Sequence, residues 1–430
     1  MKVAVIGAGW AGLAAALRLR RLGFDPWVFE AARRTGGRAR SIARPGLGDA
    51  IDCGQHILLG AYRETLDLMR ELGIDPARAC HTQALRLASA DGRFQLGAWP
   101  LPAPAHGLGI LLGGRGLSLR ERYGLARILA EIGPRKALPA TTDTVSGWLD
   151  RLECPPRVRQ LLWDPLCLAA MNTPADIADA RLFVHVLRDS LGAGAQAARL
   201  LIPRGTLDAL WPAQARARLP RLATGHRIGA LEIVPGGYRV DGTVFDAVIL
   251  ATPPGEAARL LGQLPGGQEW LAGWPSWRFE GIGTVTLRLD RPWKSGQAMR
   301  MLDERPDGAA YGQWLFDRSA IAPGEAGADL LHIVISGAGR YAGHDAATVI
   351  EGVIGQIREQ APERLPAIRA SALITEKRAT FSALPGLRRP GTRTPWPRLM
   401  LAGDWTDTGY PAVLEGAVRS GHRAAEALAA

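Results

Sequence analysis

Lysine is nearly absent from this chain. Only four of its 52 basic side chains are lysines (Lys2, Lys136, Lys294, Lys377) and the rest are arginines. Alanine and glycine are abundant, which together with the missing lysine suggests a GC-rich coding bias. The formal charge of +11 is therefore discounted as a nucleic-acid signal, because no lysine-rich run or nucleic-acid motif accompanies it. Attraction to anionic lipid headgroups remains open. Cysteine is scarce as well. Cys53, Cys80, Cys154 and Cys167 form no C-x-x-C and no Cys/His set at zinc spacing, so neither a metal centre nor a disulfide framework is expected. No uncharged apolar run reaches the ~18–20 residues of a membrane span. A first strand from residue 3 leaves no room for a cleavable signal. A cytoplasmic protein is expected, at most peripheral on the inner face of the cell membrane. Repeats and low-complexity tracts are absent, and a chain that is 47% hydrophobic and 22% charged is neither disordered nor fibrous.

What is present begins at the N-terminus. Val3 to Ile6 is an apolar run suited to a parallel strand buried on both faces. The turn Gly7-Ala8-Gly9-Trp10-Ala11-Gly12 follows, then a helical AGLAAALRLRRLG, then the strand WVFE ending in Glu30. Gly7 permits the tight turn, Gly9 lets backbone approach a pyrophosphate, and Gly12 lets the helix lie close to the strand. The helix start offers unpaired N–H groups to phosphate. Glu30, 18 residues after Gly12, suits a ribose 2′-OH and repels a 2′-phosphate. Strand, turn, helix and acid in register point to a dinucleotide.

Gly36, Gly37 and Arg38 follow Glu30 and Ala31 in TGGRARS. This resembles the second glycine motif of the flavin amine oxidase and phytoene desaturase superfamily. The resemblance implies that the glycines and Arg38 close over the pyrophosphate of FAD, with Arg38 making a forked contact. RLMLAGDW near the C-terminus resembles the same superfamily's final motif. It implies that Asp404, after Gly403, bonds the ribityl chain. A helix running from YPAVLEG onward, with Ala412, Val413 and Ala417, would aim its positive end at the flavin pyrimidine. The stretch from His226 to Pro254 reads as strand, turn, strand, turn, strand. By resemblance it meets the adenine edge through the backbone of Arg227 and Ile228, and leaves through the turn at Ala251. Gly54 and Gln55 complete the cofactor set. No cysteine follows Cys167, so a non-covalent flavin is implied.

The expected fold class is α/β: a Rossmann-like FAD-binding domain of the amine oxidase type, interleaved with an α+β substrate domain of mixed sheet and helices. The cofactor domain would comprise residues 1–80, 204–262 and 388–430, and the substrate domain residues 81–203 and 263–387. Asp91-Gly92 marks a hairpin. The stretch from Pro100 to Ala105 reads as loop, Ser118 to Glu121 as a capping box, and Pro165 as a kink or break inside a helix.

Two blocks narrow the resemblance. IDCGQHILLGAYRETLDLMRELGID from Ile51, and the stretch from Leu161 to Pro212, are similar to the hydroxysqualene dehydroxylase family of squalene and hopanoid synthesis. Cys53 stands where that family usually has Asn. The lysine that amine oxidases carry on a substrate-domain strand is replaced here by Gly283 or Thr284. The implied reaction removes the hydroxyl of hydroxysqualene, with reduced FAD giving hydride and an unidentified partner reducing the FAD. Alternatives are a phytoene or carotenoid desaturase-like enzyme, an amine oxidase, or a non-catalytic lipid-escort protein. Such an enzyme must hold a long apolar chain, protonate the departing hydroxyl and shelter an allylic cation. Candidates for the proton are Asp52, Gln55 and His56, the last because histidine titrates near neutrality. Asp164, Asn172, Arg188 and Asp189 lie in the second block. Arg188 and Asp189 are equally readable as a helix-surface ion pair. Trp405 and Tyr410 are candidates for cation–π shelter or for simple core packing. Residues 106–133 join apolar side chains to Arg115, Arg120, Arg122 and Arg127, and could dock on a bilayer.

Overall fold

A computed structural model describes residues 1–97, 109, 111, 113–133 and 135–430. The stretch from Pro100 to Ala105 and the start of the 106–133 segment lie outside the described residues. A five-stranded parallel sheet has the order Leu222–Thr224, Asp25–Glu30, Lys2–Ile6, Ala247–Leu250 and Leu399–Leu401. Its strands thus come from three distant stretches of chain. Alternation along them splits the core. Val3, Val5, Ala247, Ile249 and Met400 pack with helices Trp10–Arg21 and Leu414–Ala429. Ala4, Ile6, Val248 and Leu250 pack with the antiparallel meander of residues 231–245 and helix Pro254–Leu261. Burial on both faces is why these strands are continuous apolar runs rather than alternating ones.

A second sheet is antiparallel throughout. Its order is Met299–Met301, Trp314–Asp317, Leu330–Ser336, Phe279–Leu289 and Ile368–Phe381. Val285, Leu287, Ile333 and Ile335 bury one face against helix Ala346–Gln360. Trp314, Phe316 and Val334, on the other face, turn toward a cavity. The expected α/β class, a parallel nucleotide-binding sheet interleaved with an α+β half, is the architecture observed.

Local readings hold with two exceptions. The Asp91-Gly92 hairpin forms, with Gly92 at φ +72°, and the Ser118–Glu121 capping box closes. Pro165 does not break its helix. A π-turn over Arg159–Trp163 precedes it, and helix Asp164–Met171 continues from there. The wider turn lets Asp164 N–H reach the Arg159 carbonyl and absorbs the crowding a proline ring brings to the preceding turn. The C-terminal helix begins at Leu414, not at Tyr410. Pro411 cannot donate, and Tyr410 N–H is instead taken by the Thr408 hydroxyl at 3.2 Å.

Candidate active site

The two glycine turns meet. Gly7, at φ +105°, donates to the Phe29 carbonyl at 2.7 Å. Gly36 N–H donates to the Ala8 carbonyl at 2.9 Å. A Cβ added to Gly12 would stand 1.9 Å from the Gly7 carbonyl oxygen, so the helix lies directly on the turn. A Cβ on Gly9 would stand 3.8 Å from the Gly37 Cα, in the space between the two turns. Helix Trp10–Arg21 has no side-chain cap and no acid in its first turn, which leaves its N–H groups for an anion. Glu30 is fixed by two backbone donors, Ala8 N–H at 2.7 Å and Ala32 N–H at 2.9 Å. A carboxylate retains further lone pairs for a ribose hydroxyl.

These residues line one end of a cavity of about 930 Å³, near the top of the usual ~300–1,000 Å³ range for ligand sites. Gly7, Gly9, Trp10, Ala11, Glu30, Ala31, Gly36, Gly37, Arg38, Gly54, Gln55, Ile228, Ala251, Gly403, Asp404, Ala412, Val413 and Ala417 all face it. Ala8 and Gly12 do not, and serve the turn from behind. Arg38 and Asp404 bond each other at 2.6 Å across 366 residues, and Arg38 also donates to the Ala379 carbonyl at 2.7 Å. That uses two of five guanidinium donors. The buried Thr252 hydroxyl has no partner among the described residues and lies on the cavity wall. Bare glycine backbone, two open helix starts, an anchored acid and an unpartnered hydroxyl fit a phosphate-linked dinucleotide.

The cavity continues into an apolar half lined by Leu87, Leu125, Leu129, Trp163, Leu166, Met171, Trp314 and Phe316. Sequence reasoning missed most of this wall, because no short motif marks residues that converge from five elements. Trp405 lies between the halves. Its indole donates to the Thr252 carbonyl at 2.9 Å and packs against Trp274 and Trp277. It is at once a core residue and a lining one. On strand Phe279–Leu289, a Cβ on Gly283 would strike the Tyr341 hydroxyl at 2.2 Å, while Thr284 lies behind Gly54. No lysine fits at Gly283.

Three of the acid-base candidates are elsewhere. Asp52 faces away from the cavity, accepting from the Ser41 hydroxyl at 2.7 Å and Leu207 N–H at 2.9 Å. It anchors the start of helix Leu207–Leu210. Asp164 pairs with Arg159 at 3.2 Å outside the lining. Arg188 pairs with no acid among the described residues and is not on the cavity wall. It donates to the carbonyls of Ile132 at 3.0 Å and Lys136 at 2.8 Å. Asn172 does line the cavity, but its amide is consumed by structure: it donates to Thr380 Oγ1 at 3.0 Å and accepts from Gly337 N–H at 2.8 Å. His56 faces the cavity with Nδ1 2.7 Å from the Gly54 carbonyl. A carbonyl can only accept, so Nδ1 carries a proton. Burial pushes the imidazole below its ordinary range, against the Gly54 hydrogen bond. This lowering, with Nδ1 held by the Gly54 carbonyl, runs against the expectation that His56 titrates near neutrality as the proton donor.

Asp52 has a consequence for stability. Burial raises its carboxyl to about 6, against the Ser41 and Leu207 hydrogen bonds and the nearby Arg318. Between about pH 4 and 6 the folded state holds a proton that the unfolded chain has released. Stability therefore falls as pH rises through that window and then stays level. Asp52→Asn should remove roughly 2 kcal/mol of this loss. Urea unfolding at pH 4.5 and 7.5 checks it: the variant should gain over the parent at pH 7.5 only.

The parallel sheet, the paired glycine turns and the joined cavity define a flavin oxidoreductase. A sequence model of the family "Flavin containing amine oxidoreductase" matches residues 10–429, and the chain belongs to that family. Its cofactor is FAD. Within the family it is similar over its whole length to the hydroxysqualene dehydroxylase of Rhodopseudomonas palustris, at 34% identity over 100% of this chain and 98% of that one. It is more distantly similar to the 15-cis-phytoene desaturase of Narcissus pseudonarcissus, at 26% identity over 100% of this chain and 79% of that one. A putrescine oxidase solved with putrescine bound shares the fold, with a TM-score of 0.70 at 18% identity, covering 100% of this chain and 99% of that one. No helix among the described residues is long and apolar enough to cross a membrane.

Proposed function

We propose that the chain reductively removes the hydroxyl of hydroxysqualene to give squalene and water. The observation that carries this reading is the single cavity. Its glycine-lined end suits FAD, and its other end is a wall of leucine, methionine and tryptophan with few charges, suited to a long isoprenoid. Full-length similarity to a hydroxysqualene dehydroxylase supports the choice of alcohol. Bound FAD, once reduced, supplies the electron pair that replaces the hydroxyl. The protein's part is to hold the chain, exclude water and deliver a proton. The cofactor side would comprise residues 1–80, 204–262 and 388–430, and the substrate side residues 81–203 and 263–387. The test is anaerobic reduction followed by hydroxysqualene. Prompt return of the oxidised flavin spectrum with squalene in the extract is expected. Flavin that stays reduced, while the oxidised enzyme is bleached by phytoene, overturns this reading in favour of a desaturase.

A bilayer contact belongs to the same proposal. Helix Leu119–Glu131 lines the cavity with Leu125 and Leu129, yet Leu119 is 86% and Tyr123 68% exposed. The helix therefore joins the apolar interior to the outside. Of the four arginines, Arg122 holds the Leu111 and Gly114 carbonyls and Arg127 pairs with Glu153. Arg115 and Arg120 remain exposed for headgroups. Replacing Leu119 and Tyr123 by Ser, with Arg115 and Arg120 by Gln, should abolish sedimentation with phosphatidylglycerol vesicles. Undiminished sedimentation would remove this helix from the contact.

A further inference from the structure

We propose that the proton for the departing hydroxyl comes from the Asp189–Tyr410 pair, recharged from solvent through His185. This rests on the reaction proposed above. Both side chains line the cavity, and the Tyr410 hydroxyl donates to the Asp189 carboxylate. The pair bridges the two halves. Tyr410 belongs to the segment that also presents Gly403, Asp404 and Ala412 to the cavity, and Asp189 lies beside Leu187 and Leu191 on the apolar wall.

Elimination points to the same place. Five carboxylates line the cavity among the described residues. Glu30 is held by two backbone N–H groups. Glu256 is held by Arg227 and Arg259, Asp404 by Arg38, and Glu376 faces Arg40. Arginine never releases its proton and favours the ionised acid. Among the described residues, Asp189 alone of the five has neither an arginine partner nor a backbone N–H donor. It has a phenol on one side and His185 on the other, with Nε2 to Oδ2 at 3.8 Å.

The local backbone produces this aim. Helix Ala180–Leu187 widens into a π-turn over Arg188–Gly192, a distortion frequent at functional sites. Arg188 clamps that turn to the carbonyls of Ile132 and Lys136, while its neighbour Asp189 turns inward. His185, one helical turn earlier, is not on the cavity wall and keeps 38% of its side chain accessible. Its ring meets Tyr410 edge-on at 5.1 Å.

The charges around the pair are tied down, and Arg389 donates to the Tyr410 carbonyl at 2.8 Å. The Arg419 guanidinium lies 4.6 Å over the Tyr410 ring and is itself bonded to buried Glu415. Tyr62 also faces Tyr410 from the cavity wall. Between helices Arg63–Glu71 and Leu414–Ala429, Glu64 is tied to His422. Burial, and then the Asp189 bond, push the Tyr410 phenol above its ordinary range, so it relays a proton without resting as phenolate.

The transfer balances. The imidazolium of His185 protonates Asp189. The Asp189 O–H then donates to the phenol oxygen while the phenol gives its own proton to the substrate hydroxyl. The C–O bond breaks with both electrons on oxygen, and water leaves. The carbon would take hydride, two electrons with their hydrogen, from reduced flavin held at the glycine-lined end, which completes the C–H bond of the product.

The test is single-turnover reoxidation of the pre-reduced enzyme by hydroxysqualene, from pH 5.5 to 9. Asp189→Asn and Tyr410→Phe should slow it ~100-fold or more, the usual weight of a positioned acid. Asp189→Glu should recover part of the rate. His185→Gln should flatten the fall in rate at high pH. FAD content, and the affinity for squalene read from the perturbed flavin band of oxidised enzyme, should not change. Variants that reoxidise at the parental rate overturn the pair. So does an unchanged pH profile with weakened squalene affinity, which indicates a binding role. A parent enzyme that forms no squalene overturns the reaction reading, and the relay with it.

Discussion

Gly12→Ala is expected to lose its flavin and most of its stability, while Gly9→Ala should fold normally and lose only cofactor affinity. The two positions belong to one turn and differ by three residues. At Gly12 the new methyl would lie 1.9 Å from the Gly7 carbonyl oxygen and 3.0 Å from its carbon. Backbone on both sides cannot rotate away, so the whole helix must lift off the sheet by more than an ångström. Helix and sheet share a core in which Val3, Val5, Leu13, Ala14 and Leu17 are all buried. Lifting it costs several kcal/mol, in the range reserved for gross overpacking. At Gly9 the methyl meets only the Gly37 Cα at 3.8 Å, and φ is −72°, so no strain arises. The methyl would instead occupy space where the two glycine turns face the cavity. Expected results for Gly9→Ala are a melting temperature within about 2 °C of the parent and an FAD dissociation constant raised ten- to a hundredfold, ~1.4–2.7 kcal/mol. Gly12→Ala should be insoluble or colourless. Thermal melts and flavin-to-protein ratios check both. Equal behaviour of the two variants would mean that the turn does not divide its labour in this way.

The cofactor end was readable because its parts are contiguous. A glycine turn, the helix after it and the acid 18 residues on are fixed by local geometry, so their spacing survives in the sequence. The acid-base end was not. Asp52, Asp164 and Arg188 are the right residue types beside the right positions, and each faces the wrong way. Asp52 ends the strand Gly48–Asp52, and its side chain goes to Ser41 and Leu207, while Gln55 and His56 further on face the cavity. The other two adjoin π-turns, at Arg159–Trp163 and Arg188–Gly192. A π-turn inserts one residue and rotates everything after it, so a wheel drawn at 3.6 residues per turn fails from there on. Trp163 and Asp189 reach the cavity where Asp164 and Arg188 do not. Nothing in the residue types announces such a turn, although Pro165 hinted at the first.

The second large effect is expected at Glu415, which does no chemistry. Its side chain is 0% exposed, yet it lies in the first turn of the C-terminal helix, whose start borders the cavity. It accepts from Thr65 N–H at 3.0 Å, Thr65 Oγ1 at 2.8 Å, Glu64 N–H at 3.1 Å and Arg419 Nε at 3.0 Å. Helix Arg63–Glu71 follows Tyr62, which offers no side-chain cap. Glu415 therefore caps that helix from 350 residues away, placing a negative charge at its positive end. Glu415→Ala would strand three donors and leave Arg419 unpaired. Breaking a buried pair from one side costs ~3–5 kcal/mol. For a chain of this size that is roughly 3–6 °C of melting temperature. The loss should reach the flavin, because Tyr62 and Tyr410 both line the cavity and Arg419 covers the Tyr410 ring. Release of FAD fluorescence should therefore begin at the same lowered temperature as unfolding. Glu415→Gln keeps one acceptor but turns an amide N–H₂ toward the remaining donors, so it should fall between parent and Ala variant. A Glu415→Ala protein melting within 2 °C of the parent would show that solvent had already met those donors, and that the two helices are held together by their apolar contacts alone.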